Sequence, residues 1–128
     1  MKKVAILTKD APAPIGPYSQ AIRAGNLLFC SGQIPLDPVT GSLVGQGDVK
    51  AQTKRVMENI AAVLKAADAS FDQIAKTVIY LKSMNDFPAV NEVYGSYFTG
   101  VPPARSTVEV ARLPKDVSVE VDVTVVFA

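Results

Sequence analysis

The stretch "VSVEVDVTVVF", residues 117–127, sets valine or phenylalanine at every odd position from Val117 to Phe127, with Ser118, Glu120, Asp122 and Thr124 between them. Successive side chains of a strand point to opposite faces, so the odd set forms one dry face and must be buried. A strand this long and this dry belongs near the centre of a sheet, packed against helices. Its polar face is left without a cover. Just upstream, "PPARSTVEV", residues 102–110, alternates Ser106, Val108 and Val110 with Thr107 and Glu109, and predicts a strand from Ser106 to Ala111. By the same alternation Thr107 and Glu109 join the wet face of the final strand, with Arg105 at its mouth. Two prolines lock the approach to that arginine. Either it holds an interface together or it waits for an anion.

Earlier in the chain, "NDFPAVNEVYGSYF", residues 85–98, predicts a helix. Asn85-Asp86 is cap-like, Pro88 falls in the first turn where a missing N–H does no harm, and Phe87, Val90, Tyr94, Tyr97 and Phe98 give an apolar face. Ile74 to Leu81 reads as a strand. Asp48 is a plausible N-cap for a helix to about Ala67, with Val49, Val56, Ile60, Val63, Leu64 and Ala67 on one stripe. Two short strands flank the Gly25-Asn26 hairpin signal, and Val4 to Leu7 gives a first strand. Six strands and two helices result. Strand-helix-strand connections make the sheet partly parallel. An uncovered sheet face of mixed polarity predicts subunits packing sheet to sheet.

The 128 residues predict one domain, 1–128, large enough to bury roughly two thirds of its unfolded surface. Hydrophobic residues are 48%, charged residues 20% and the net charge is +1, so no bulk field recruits nucleic acid or an acidic membrane. The apolar run after Lys2-Lys3 is too short for a signal-peptide core, and no segment is long and apolar enough to span a bilayer. The single cysteine, Cys30, fits a reducing compartment, and the expectation is a cytoplasmic protein. There is no histidine, which excludes Ser-His-Asp and Cys-His nucleophiles and leaves little for a transition metal. "GSLVGQGD" lacks the Lys and Ser/Thr of a phosphate loop and reads as a turn before the first helix.

Taken singly, the polar candidates each have a structural reading. Glu120 pairs with a lysine across a wet face, Asn91 bonds backbone beside its helix stripe, Tyr18 anchors a turn and Ser31-Gly32 ends a strand in a tight bend.

Together, "IGPYSQ", "SGQIPLDPVTG", "NDFPAVNEVYGSYF" and "PPARSTVEVARLPKDVSVEVDV" closely resemble the Rid family of reactive-intermediate imine deaminases, also called YjgF-type, from about Ala11 to Val126. The resemblance implies an α+β, chorismate-mutase-like fold: a six-stranded mixed sheet with two helices packed on one face, and a homotrimer with clefts between subunits. It implies hydrolysis of 2-imino or 2-enamino acids such as 2-iminobutyrate to 2-keto acids and ammonia, without a cofactor or metal. Arg105 matches the family arginine that holds the substrate carboxylate. Tyr18, Ser31, Asn91 and Glu120 match cleft positions, with the Gly32 backbone beside them and Phe87 counted among the substrate-binding residues. Glu120 is the group expected to hold water and relay protons, and Tyr18 to assist. Thr107 departs from the cysteine common at its position but keeps a hydroxyl. The partners implied are a small imino or keto acid and further copies of the chain, with no nucleic acid and no membrane. A rival reading is a module that binds a small carboxylate without turnover.

Overall fold

The dry strand of the C-terminus lies inside the sheet. The computed structural model describes residues 2–128, in which β1 (Lys3–Ile6), β2 (Ala21–Ala24), β3 (Leu27–Gln33), β4 (Ile74–Leu81), β5 (Ala104–Glu109) and β6 (Val119–Val126) form one sheet ordered β1-β2-β3-β6-β4-β5. Two helices, α1 (Val49–Ala66) and α2 (Phe87–Gly95), join β3 to β4 and β4 to β5. β6 runs antiparallel to both its neighbours, while β4 and β5 are parallel, as the α2 crossover between them requires. The fold is therefore α+β, with a mixed sheet.

Val119, Val121, Val123 and Val125 are each no more than 2% exposed and pack with Val56, Ile60, Val63 and Leu64 of α1 and with Val90 and Tyr94 of α2. Each such valine contributes about 1.5 kcal/mol or more through burial. Asp48 caps α1, its Oδ1 accepting the Ala51 N–H at 3.1 Å. The buried face of α1 is wider than the aliphatic stripe, since Gln52, Thr53 and Asn59 are buried as well. Thr53 Oγ1 donates to Val49 O within the helix at 2.7 Å, while Gln52 and Asn59 hold loops in place. Gln52 Oε1 accepts the Ser118 N–H at 2.8 Å at the entry to β6, and Asn59 Nδ2 donates to Ile34 O and Leu36 O at 3.3 and 3.0 Å.

Several expectations need correcting. β5 begins at Ala104, because parallel pairing with β4 takes up the chain directly after Pro103. Arg105 is therefore inside the strand rather than at its mouth. Registration also reverses its faces. Arg105, Thr107 and Glu109 lie beside Thr77, Ile79 and Leu81 of β4, which lie beside Val123, Val121 and Val119 of β6. Paired residues share a face, so all three project to the helix side, opposite Glu120 and Asp122. Ser106 and Val108 are β5 residues on the uncovered face, and both are exposed there. The second helix is shorter than its pattern. A 3-10 turn, Met84–Asp86, precedes it, capped by Ser83 Oγ accepting the Asn85 N–H at 3.2 Å, and the Asp86 side chain caps nothing. Tyr97 and Phe98 follow the helix yet still pack on the core, Phe98 with Tyr94 and both with Phe71. β1 begins at Lys3, and β6 only at Val119, since Lys115 and Asp116 take left-handed backbone in the turn before it.

Candidate functional site

The residues expected to line a cleft fall into two groups on opposite faces of the sheet. The first is on the uncovered face, around a cavity of about 350 Å³ lined by Ile15, Tyr18, Ser31, Gly32, Ile34, Pro114 and Glu120. A register shift between Cys30 and Gln33 opens β3 into a bulge there. The bulge is tied down by the Ser31 N–H donating to Gln20 O at 2.9 Å and Ser31 Oγ donating to Ser19 O at 2.5 Å. Gln20, buried, in turn fixes the segment leading to Tyr18: its Oε1 accepts the Thr8 N–H at 2.7 Å and its Nε2 donates to Thr8 O and Pro12 O at 3.0 and 2.9 Å. Tyr18 itself is half exposed, with its hydroxyl accepting the Ile15 N–H at 3.3 Å. The Glu120 carboxylate lies directly on Gly32. A Cβ added at Gly32 would be 2.1 Å from Glu120 Oε2, so the glycine makes room for the acid.

Glu120 holds its proton more firmly than an ordinary glutamate. Burial is the larger cause and the negative charge of Asp122 the second. Asp122 accepts a hydrogen bond from the Tyr80 hydroxyl at 2.9 Å, and Tyr80 lies directly beside Glu120 in the sheet. That bond, with burial and the acidic charges behind it, raises the Tyr80 phenol above its usual value.

The second group lies under α2. Arg105 Nη1 donates to Asn91 Oδ1 at 2.6 Å, and its guanidinium carbon lies 5.2 Å from the ring centres of both Phe87 and Tyr94. The tyrosine is fixed by a 2.8 Å bond between its hydroxyl and Thr77 Oγ1. Two turns of α2 thus supply an amide and two aromatic faces to a single cation, leaving most of its fork free to accept an anion. A cavity of about 390 Å³ opens here, lined by Tyr94, Pro102, Pro103 and Arg105. Thr107 follows on the same face, but its Oγ1 is buried and has no hydrogen-bond partner. A roomier cavity of about 540 Å³ lies at another edge, between Asp72 and Phe127, where no cation faces a carboxylate side chain. It lacks the chemistry of either group.

The sequence-predicted residues are therefore gathered as two sets: Tyr18, Ser31, Gly32 and Glu120 in one, and Arg105, Asn91 and Phe87 in the other. Ile15, Ile34, Pro114, Tyr80 and Asp122 escaped the sequence reading. Asp122 was within reach of it, two residues from Glu120 on one strand face, whereas Tyr80 needed the register between β4 and β6. Among the described residues no group of three or more His, Cys, Asp or Glu side chains is placed to hold a metal ion, and no helix is long and apolar enough to cross a membrane.

Residues 8–127 match the family model described as Endoribonuclease L-PSP. A RutC family protein of Pyrococcus horikoshii is 58% identical over 122 residues, covering 95% of each chain. A Salmonella typhimurium protein named 2-iminobutanoate/2-iminopropanoate deaminase is 47% identical over 120 residues, covering 91% of this chain and 92% of its own. A crystal structure of a conserved Rid family protein of unknown function from Yersinia pestis superposes with a TM-score of 0.95 at 48% identity, over 98% of this chain and 99% of that one.

Proposed function

The chain belongs to the Endoribonuclease L-PSP family, whose members include RutC and Rid proteins, and from that premise we propose that it hydrolyses short 2-imino and 2-enamino acids to 2-keto acids and ammonia, in clefts formed between copies of itself. The observation that carries this reading is the placement of Arg105 and Glu120 on opposite faces of one sheet. A cation for a carboxylate and an acid for proton transfer cannot meet within one chain. They meet when the helix-side group of one copy abuts the uncovered face of the next. Because the two groups are on different surfaces, the contact is head to tail, which makes a ring when the rotation between copies closes and an open filament when it does not. The homotrimer of the Rid resemblance is the ring this reading adopts. Phe29, Val108 and Val126, each at least 40% exposed on the uncovered face, provide apolar area for such a contact.

In the assembled cleft the Arg105 fork takes the substrate carboxylate, a charge-assisted bond contributing about 1.5–3 kcal/mol. Asn91 and the two rings keep the guanidinium in one orientation, so the imine carbon is held at a fixed distance from Glu120 of the neighbouring copy. Water attacks that carbon: a C–O bond forms, the C=N π pair moves to nitrogen, and the water's proton passes to the Glu120 carboxylate. Glu120 then protonates the amine. The C–N bond breaks with its pair leaving on nitrogen, and the hydroxyl proton goes back through Glu120 to the departing ammonia. Iminium and water become keto acid and ammonium, and Glu120 ends as it began. An acid whose proton is held more firmly than usual suits both directions of this relay. Tyr18, at the same cavity, is placed to orient the water or the substrate. With a net charge of +1 and no histidine, the chain offers little for ribonuclease chemistry in spite of its family's description.

The test is a coupled assay in which a dehydratase generates 2-iminobutyrate from threonine while 2-oxobutyrate is followed. Acceleration by the wild-type protein that falls about 10- to 150-fold with Arg105→Ala is expected, the factor being the carboxylate bond converted to a rate. No acceleration, with 2-oxobutyrate still bound, refutes the enzyme and leaves the carboxylate-binding module.

A further inference from the structure

Glu120 is not alone on its face. β6 alternates, so Asp122 projects to the same side two residues on, about 7 Å along the strand. Tyr80 lies directly across from Glu120 on β4, yet its hydroxyl reaches past that neighbour to donate to Asp122 Oδ2 at 2.9 Å. The phenol thus spans the two acids, and it fixes the second one. We propose that Asp122, held by the Tyr80 hydroxyl, is a positioning residue of the cleft: its negative charge tunes Glu120 as the carboxylate that takes the proton of the attacking water. This rests on the reading of Glu120 as the proton carrier, but the linkage between the two carboxylates is a property of the folded chain that can be measured without turnover.

The surroundings leave the charge of Asp122 to act on Glu120. β4 presents Tyr80 beside Glu120 and Lys76 further along the same face, where the ammonium donates to Ser106 Oγ at 3.3 Å. β3 presents the Ser31–Gly32 bulge, which has no ionisable side chain. The Cys30 thiol before it is on the helix side, pushed up to about 12 by burial first and Asp122 second, so it stays neutral. The N-terminal segment contributes Tyr18, and the turn before β6 contributes Lys115 and Asp116, the latter paired with Lys82 at 3.0 Å. Among the described residues neither Glu120 nor Asp122 has a salt-bridge partner. The two acids repel each other unbalanced by a close cation, and a neutral Glu120 relieves that repulsion.

Asp122→Asn removes the charge and keeps the shape, while Asp122→Glu keeps the charge. Titration of the Glu120 carboxyl carbon by NMR, assigned with Glu120→Gln, reads the linkage directly. The expected result is a downward shift of the Glu120 midpoint in Asp122→Asn and little shift in Asp122→Glu. The Tyr80 phenol, followed by its ultraviolet absorbance, should titrate lower in Asp122→Asn as well, since its acceptor no longer bears charge. The acid limb of kcat/KM for 2-iminobutyrate hydrolysis should move down with Glu120. A Glu120 midpoint that ignores Asp122→Asn, in a protein whose spectrum shows the native fold, overturns the proposal. A midpoint that moves in a protein with no deaminase activity upholds the linkage and refutes the functional reading instead. A midpoint that moves while the kcat/KM limb stays put overturns Asp122's place in the reaction.

Discussion

Two damaged chains should repair one another if the cleft draws Arg105 from one copy and Glu120 from the next. The perturbation is to unfold Arg105→Ala and Glu120→Gln chains, mix them in equal amounts and refold them together. Each variant alone has every cleft damaged. Arg105→Ala lacks the charge-assisted carboxylate bond, worth about 10- to 150-fold in kcat/KM, and Glu120→Gln lacks an acid–base group, worth about 10²- to 10⁴-fold. In the mixed ring a cleft is intact when its arginine side comes from a Glu120→Gln chain and its glutamate side from an Arg105→Ala chain. Random assembly makes each half a one-in-two event, so about one quarter of the clefts are whole, whatever the size of the ring. The 2-iminobutyrate assay should return about one quarter of wild-type activity per chain, well above either parent. Orthogonal affinity tags on the two variants isolate hybrid rings and enrich the signal. A refolded mixture whose rate is only the mean of its two parents, with hybrids demonstrably formed, refutes the reasoning: both groups would then act from the same chain, or not act together.

Other consequences follow from single side chains. Gly32→Ala places a methyl within 2.1 Å of Glu120 Oε2, and the flexible carboxylate must move. Loss of kcat with a nearly unchanged unfolding midpoint is expected, and an unaltered kcat would separate Glu120's position from catalysis. Thr107→Val replaces a buried hydroxyl without a partner by an isosteric methyl, which should stabilise the protein by about 1 kcal/mol in urea unfolding; a destabilised variant would mean that the hydroxyl is satisfied in the assembly. Glu120 also couples stability to pH. Its folded-state pKa is raised, so the folded chain binds its proton more tightly than the unfolded one. That contribution is full below the ordinary carboxylate value and is lost as pH rises through the folded value. Glu120→Gln should therefore flatten the decline in stability as pH rises above the ordinary carboxylate range, and an unchanged pH profile of urea midpoints would contradict it.

What the sequence told of this fold depended on whether the relevant physics is local. Alternation within one strand is local, and β6 was legible: its valines point to the helices and its acids away from them. Ile74 to Leu81 and the Asp48 cap were legible for the same reason, because a strand period or a capping carboxylate acts over a few residues. Alternation between strands is not local. Thr107 and Glu109 looked like partners of Glu120 because β5 has its own wet and dry sets, but which set meets the helices is decided by registration with β4, some thirty residues away in sequence. A shift of one residue would exchange the faces. The error matters for function, since on one face Arg105 and Glu120 would have made a single-chain site. On opposite faces they become halves, and each half has its own local support: Asn91, Phe87 and Tyr94 around the cation, Gly32 and Asp122 around the acid. Two equipped groups on opposed surfaces, each with aligned partners and neither able to reach the other, are the ground for the proposal that copies of the chain complete one another's clefts.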